Sequence, residues 1–440
     1  MSLTDREKEA LNKAIYQYLT IKSYEKSAEA FLNECPDQVS KNEGQPMSDN
    51  LLEKKWVTIV KLNKRILELE MENNGLKDEL KSVSKMKRTT ANKEEIENLF
   101  PKAPAVHTFT GHKGMVNKVA IHPLYTQIAS VGDDEAIRLW DFEAKKYEGS
   151  LKGHTERIID ISFDPNGTYL ASGSNDLLVK VWDVDKKTCI KTFTGHDHSV
   201  SCVRWKNTSD FVLSASRDET IKLWELNTGF CVRTFRGHEG WVKMAIFNDN
   251  CTKFVSCSAD TTLMLWDANK EAPQMTLYGH SHVVDCVMLV NHLDGKKAMN
   301  ESKINSEGRA AIESNMTEIE KSKKRLQDAG KQEDLSPLEF IISGSRDKTV
   351  KIWSGQTGNV LLTIEGHSGW VKGLAMHHSN KYFYTCSDDK SIKVWNLHTG
   401  KLHSKIDDAH NNFVTDIVSH PVYLICVTSS FETLKVWECR

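Results

Sequence analysis

Three residue types that together can break an acyl bond recur along this chain. His154, Ser172 and Asp176 form one set, His196, Ser214 and Asp218 a second, and His238, Ser256 and Asp260 a third. A hydrolase would use them as base, nucleophile and orienting carboxylate. Here the set keeps returning with a fourth member, so that His154, Ser172, Asp176 and Trp182 make up one unit. One reaction has no use for seven copies of its active site. A buried relay, in which each polar side chain satisfies the next, accounts for the repetition. The chain has no Walker loop, no His-Glu-x-x-His and no Gly-x-Ser-x-Gly segment. Catalysis is therefore not expected. None of the ten cysteines falls in a Cys-x-x-Cys pair, so no metal, redox pair or cofactor is expected either.

The spacing shows what must position these residues. Gly-His occurs at Gly111-His112, Gly153-His154, Gly195-His196, Gly237-His238 and Gly279-His280, always 42 residues apart, and again at Gly366-His367; Ala409-His410 closes the series. In six of seven copies an acidic residue follows the histidine by 22, and in six of seven a tryptophan follows the acid by 6. Alternating apolar runs such as Ile159-Asp160-Ile161-Ser162-Phe163 and Leu178-Val179-Lys180-Val181-Trp182 lie between the landmarks. Their period of two predicts short antiparallel strands. The unit resembles the WD repeat, over about three quarters of the chain. Four strands make one propeller blade, and only a closed ring covers every blade's faces. The expected fold is an all-β seven-bladed WD-repeat propeller over 105–440, with an inserted polar loop at 292–336 and a helix expected near 310–327. The last repeat ends at its third strand, so Val106-His107-Thr108-Phe109-Thr110 is expected to supply the fourth and remove an open sheet edge.

The first hundred residues follow another period. Leu11, Ile15, Leu19, Tyr24 and Phe31 recur at helical spacing across two short segments. Alone, such a small pair leaves an apolar face uncovered. Residues 1–39 resemble the LisH dimerisation motif, with Ser23 where such motifs commonly carry glycine. After a linker at 40–50, Ile59, Leu62, Ile66, Leu69 and Asn73 mark the seam of a coiled coil over 51–84. An asparagine at an a position fixes register and favours two strands. Residues 85–104, with Pro101 and Pro104, read as a second linker. An α-helical LisH motif and a coiled coil thus precede the propeller, and a homodimer is expected.

Charge narrows the partners. Lys plus Arg is 58 and Asp plus Glu is 60, a net of −2. That balance speaks against a general nucleic-acid binder. Mean hydropathy is −0.47, and no apolar run approaches the ~18 residues of a membrane helix. The N-terminus carries no apolar signal core, so a soluble intracellular chain is expected. Differences among repeats are more telling, because equivalent positions share a backbone. Before the turn acid stand Asp133, Asn175, Arg217, Ala259, Arg346, Asp388 and Phe431; third after the histidine stand Met115, Arg157, Ser199, Trp241, Val283, Trp370 and Phe413. The two arginines and two tryptophans are the residue types of binding hot spots. Both positions fall in loops on one face of the ring.

The order of LisH, coiled coil and seven blades resembles the lissencephaly protein family. Leu51-Leu52-Glu53-Lys54-Lys55-Trp56, Ser214-Ala215-Ser216-Arg217-Asp218 and the terminal Lys435-Val436-Trp437-Glu438-Cys439-Arg440 carry the likeness. It implies a non-enzymatic regulator of cytoplasmic dynein, gripping the motor ring of the heavy chain through Arg217, Trp241, Arg346, Trp370 and Lys390. The position two after the fourth Gly-His is commonly basic in that family and is Gly240 here. The resemblance further implies NudE-type coiled-coil adaptors as partners and, in animals, the catalytic subunits of a platelet-activating-factor acetylhydrolase. It implies roles in nuclear migration, spindle positioning, mitosis and cargo transport, in the cytoplasm, on the cytoskeleton and at the centrosome or microtubule-organising centre. Two other uses of a LisH propeller stay open: a nuclear corepressor scaffold and a substrate receptor of a ubiquitin ligase.

Overall fold

The computed structural model describes residues 99–291 and 339–440 and, nearer the N-terminus, Ile15, Lys61, Lys64, Arg65, Glu68, Leu69 and Met71, all seven helical. The chain divides into two compact units, Met1–Lys87 and Arg88–Arg440. Leu11, Leu19, Tyr24, Phe31, Ile59, Leu62, Ile66, Asn73, the inserted loop and its expected helix lie outside the described residues.

Seven four-stranded antiparallel sheets form the second unit. Blade one consists of Val116–Ile121, Gln127–Gly132, Ala136–Asp141 and Lys146–Lys152. Its second strand is almost wholly buried, whereas its fourth is mostly exposed. The same gradient, repeated in each blade, sets the hydrophobic pattern: the inner strands need apolar residues on both faces and only the rim strands can be polar. Core clusters sit between blades. Val116, Ile128 and Trp140 of blade one, for example, pack with Val427, Leu434 and Val436 of blade seven. The ring closes as expected: His107–Thr110 pairs with Thr433–Glu438, His107 opposite Val436 and Thr110 opposite Thr433. In blade five, Val284–Asn291 and Glu339–Ser345 pair up to Asn291 opposite Glu339. The insertion therefore leaves directly from the end of a hairpin ladder.

Two features differ from the reading of the sequence. Leu99–Pro101, inside the supposed second linker, is docked on the ring. Phe100 is buried against blades six and seven, its carbonyl accepts from Arg440 N, and its ring packs on His377, Tyr382 and His403. An exposed aromatic would leave apolar surface in water, and the apolar cluster of blades six and seven removes it. Second, the inner strands do not alternate simply. Register shifts fall between Ile158 and Asp160, Val242 and Met244, Val284 and Cys286, and Val371 and Gly373. A bulge opposes two residues to one and re-aims the extra side chain. Asp160, the residue after the bulge in blade two, is buried, where it accepts from Val203 N at 2.9 Å and from Arg204.

Candidate protein-docking face

The residue sets with hydrolase chemistry are buried struts. His154 Nδ1 lies 2.7 Å from the Asp176 carboxylate and Nε2 lies 2.8 Å from Ser172 Oγ, to which Trp182 Nε1 donates at 2.8 Å. An ionised carboxylate only accepts, so Nδ1 carries the proton and Nε2 receives the serine hydroxyl. Ser172 is 0% exposed, so no substrate reaches its oxygen. Burial works to raise Asp176, but hydrogen bonds from His154 and from the Leu178 and Thr155 amides outweigh it and hold the carboxyl below its usual value. The relay glycines have a steric reason: Gly366 sits at φ 154°, and a Cβ there would lie 2.8 Å from the Trp395 ring. Blade seven departs most. His410 Nδ1 meets Thr433 Oγ1 at 3.3 Å, and among the described residues no hydrogen bond joins it to Glu432, which is exposed.

The loops that carry the relay also carry the odd residues out. Arg217 of blade three lies over the Trp241 ring of blade four, 4.8 Å from its centroid, and Arg346 of blade five lies over the Trp370 ring of blade six at 4.5 Å. The sequence comparison singled out these four residues, and the fold brings them into two matching pairs across blade junctions. Each indole also has a lysine near it: Lys243 at 5.6 Å from Trp241 and Lys372 at 4.9 Å from Trp370. The tryptophans are nevertheless 46% and 39% exposed. A large aromatic held by cations yet open to solvent suits a partner that covers it. Burial, then the charges of Arg157 and Arg346, pull Arg217 below its ordinary value, which places three arginines within electrostatic reach. Gly240 fits a tight approach, since a Cβ there would stand 3.1 Å from Asp260 N.

Lys390 is apart from these pairs. It occupies the tight turn after Asp389 at φ 66°, its amide donating to Ser387 O at 3.1 Å. Among the described residues no ion pair or ring contact joins it to Trp370 or Arg346. Sequence comparison missed Asp285. Its carboxylate accepts from Arg346 Nε at 2.8 Å and Nη2 at 3.2 Å, and pairs with Lys372 at 3.2 Å and Lys243 at 4.0 Å. Asp285, Lys243 and Lys372 are all fifth after a relay histidine, at the residue that the inner-strand bulge displaces. Comparing that position among repeats would have found all three. Burial works to raise the Asp285 carboxyl, but the Arg346 hydrogen bond and the charges of Lys372, Arg346 and Lys243 hold it below its usual value.

Fold and relay together define a WD-repeat propeller, and the family described as WD domain, G-beta repeat matches residues 104–141, 145–183, 187–225, 229–267, 336–354 and 358–396. The three C-terminal strands of blade seven, with its altered relay, lie outside those segments. Over its whole length the chain is 51% identical to the Lissencephaly-1 homolog of Dictyostelium discoideum, covering 100% of both chains. It is 49% identical to Lissencephaly-1 homolog 1 of Paramecium tetraurelia, covering 99% of both. Nuclear distribution protein PAC1 of Coccidioides posadasii is 35% identical over 94% of this chain and 85% of its own. The chain belongs to the lissencephaly-1 family.

Proposed function

We propose that this protein is a dimeric, non-catalytic regulator of cytoplasmic dynein, which docks on the motor domain of the heavy chain through Arg217, Trp241, Arg346, Trp370 and Lys390. The observation that carries the reading is the pair of exposed tryptophans, each held under an arginine from the neighbouring blade. Cations around a desolvatable aromatic centre suit a folded protein surface with carboxylates at the matching places. That the surface belongs to a dynein motor rests on the family resemblance, and the name of the Coccidioides relative agrees with a part in nuclear distribution. A rigid ring acts on a motor by favouring one of its conformations, and that conformation must in turn favour the ring. The serines of the relay are buried, which supports a scaffold and not a hydrolase.

Dimerisation through residues 1–84 belongs to the same proposal. Leu69, at a seam position, is helical and 47% exposed in the single chain, as a residue awaiting a second helix would be. Two linked propellers raise occupancy on a motor pair through effective concentration. NudE-type adaptors, acetylhydrolase catalytic subunits, and residence in the cytoplasm, on the cytoskeleton and at the centrosome complete the proposal.

The test is binding of the full chain to immobilised dynein motor domain. Arg346→Ala and Trp370→Ala should each weaken binding by ~2 kcal/mol or more, as hot-spot residues do. Circular dichroism and sedimentation should remain those of the wild type. A double variant that folds normally and binds at wild-type affinity would move the docking site elsewhere.

A further inference from the structure

Asp285 is a carboxylate in the middle of a cationic face. If the partner surface is acidic, its charge opposes docking, yet the fold leaves its side chain only 9% exposed and surrounds it with three cations. Arg346 forks onto it through Nε and Nη2, which fixes the guanidinium plane while its face rests on Trp370. Lys372, on the same carboxylate at 3.2 Å, stands 4.9 Å from the centre of that indole. Lys243, at 4.0 Å from the carboxylate, stands 5.6 Å from the centre of Trp241. One side chain of blade five thus ties the cations of blades four, five and six, and through them both tryptophans. The three bulges supply the geometry: each displaces one residue of an inner strand, giving Lys243, Asp285 and Lys372 equivalent places on neighbouring blades.

We infer that Asp285 is the positioning residue of the docking face: it holds Arg346, Lys372 and Lys243 in the arrangement that a partner meets. Lysine and arginine lose much rotamer freedom when they are fixed. Asp285 fixes them before the partner arrives, so the ordering is not charged against binding. Arg346 still has three N–H groups free of the fork with which to meet a carboxylate. The inference rests on the proposed docking role for its binding consequence, and on this chain's own contacts for its structural part.

The two ideas about Asp285 differ in sign. If it acted only through charge, Asp285→Asn would make the face more positive and tighten binding to an acidic surface. If it positions the cations, the same change weakens binding. The full chain with Asp285→Asn should bind immobilised motor domain about tenfold more weakly, as expected when preorganised charge pairs are loosened. Unchanged or tighter binding would overturn the inference. A second readout needs no partner. Limited acylation of lysines, followed residue by residue by mass spectrometry, should label Lys243 and Lys372 several times faster in Asp285→Asn, while Lys390 keeps its rate. Asp285→Glu, which restores the carboxylate, should slow both lysines again. Equal labelling in wild type and Asn variant would remove the positioning role. If the Asn variant does not fold, Asp285→Ser serves for both readouts, because blade three already carries Ser201 at the equivalent place. If the wild-type chain itself does not bind the motor domain, the docking reading falls, and the labelling alone decides whether Asp285 orders its neighbours.

Discussion

One oxygen, Ser172 Oγ, receives the Trp182 indole at 2.8 Å and faces His154 Nε2 at the same distance. Ser172→Ala removes the partner of both groups at a site with no water access. It should destabilise the fold by ~1–3 kcal/mol, the cost of leaving buried polar atoms unpaired, measurable as a lower thermal midpoint. Ser172→Thr should lie closer to wild type, since Thr385 does the same work in blade six, 2.7 Å from His367 and 2.8 Å from Trp395. A Ser172→Ala chain that melts like wild type would refute the relay. The carboxylates extend the point to pH. Burial works to raise Asp134 and Asp260, but hydrogen bonds from His112 and Arg138 to the first, and from His238 and Thr262 to the second, bring both down to about 2. Unfolded aspartates titrate near 3.8, so the folded state binds fewer protons between those values. The stability that these two carboxylates contribute is complete above about 4 and is lost as pH falls towards 2. Asp260→Asn should flatten that acid limb in a series of thermal midpoints against pH.

At the scale of the element, blade seven stands out. It takes one strand from the far end of the chain, and its histidine has a threonine where the others have an aspartate. Burial, aided by the charge of Lys435, lowers His410 to about 3. A histidine kept neutral when folded but titrating near 6.5 when unfolded stabilises fully above 6.5, and that contribution declines as pH falls towards 3. Blade seven should therefore loosen first on mild acidification. Amide exchange in Asp416–Ser419 and Ile425–Ser429, corrected for intrinsic rate, should speed up more between pH 7 and pH 5 than exchange in Ile158–Phe163. Equal changes in both blades would show that the missing carboxylate does not matter.

For the molecule as a whole, closure is the decisive event. Asp416 bridges the seam, pairing with Lys118 at 2.8 Å and accepting from Val119 N at 3.3 Å, while Thr415 donates to Val116 O. Residues 99–440 should be a stable monomer in sedimentation, and the full chain a dimer at micromolar concentration. A monomeric full chain would end the proposal of an N-terminal dimer. Starting the propeller at residue 105 instead should lower its melting point, because burial of Phe100 is lost; deleting a buried phenylalanine side chain typically costs ~3–5 kcal/mol. Starting at 111 should be worse, since the edge of Thr433–Glu438 is then open to other chains.

Much of this was legible in one dimension. The period of 42 residues gave the number of blades, and the missing last strand with its match at 106–110 gave the closure, because a repeating fold writes its local rules many times over. Arg217, Trp241, Arg346 and Trp370 were legible for the same reason: each departs from what its equivalents carry. The alternation of polar and apolar residues was a poorer guide, since a bulge shifts the inner strands by one residue and the polar Asp160 is buried. Only the tertiary structure showed that arginine and tryptophan meet across blade junctions, that Phe100 belongs to the ring, and that Asp285 gathers cations from three blades. These depend on how one sheet faces the next. Spacing along the chain fixes what each blade is; the rotation from blade to blade decides which side chains of different blades can touch.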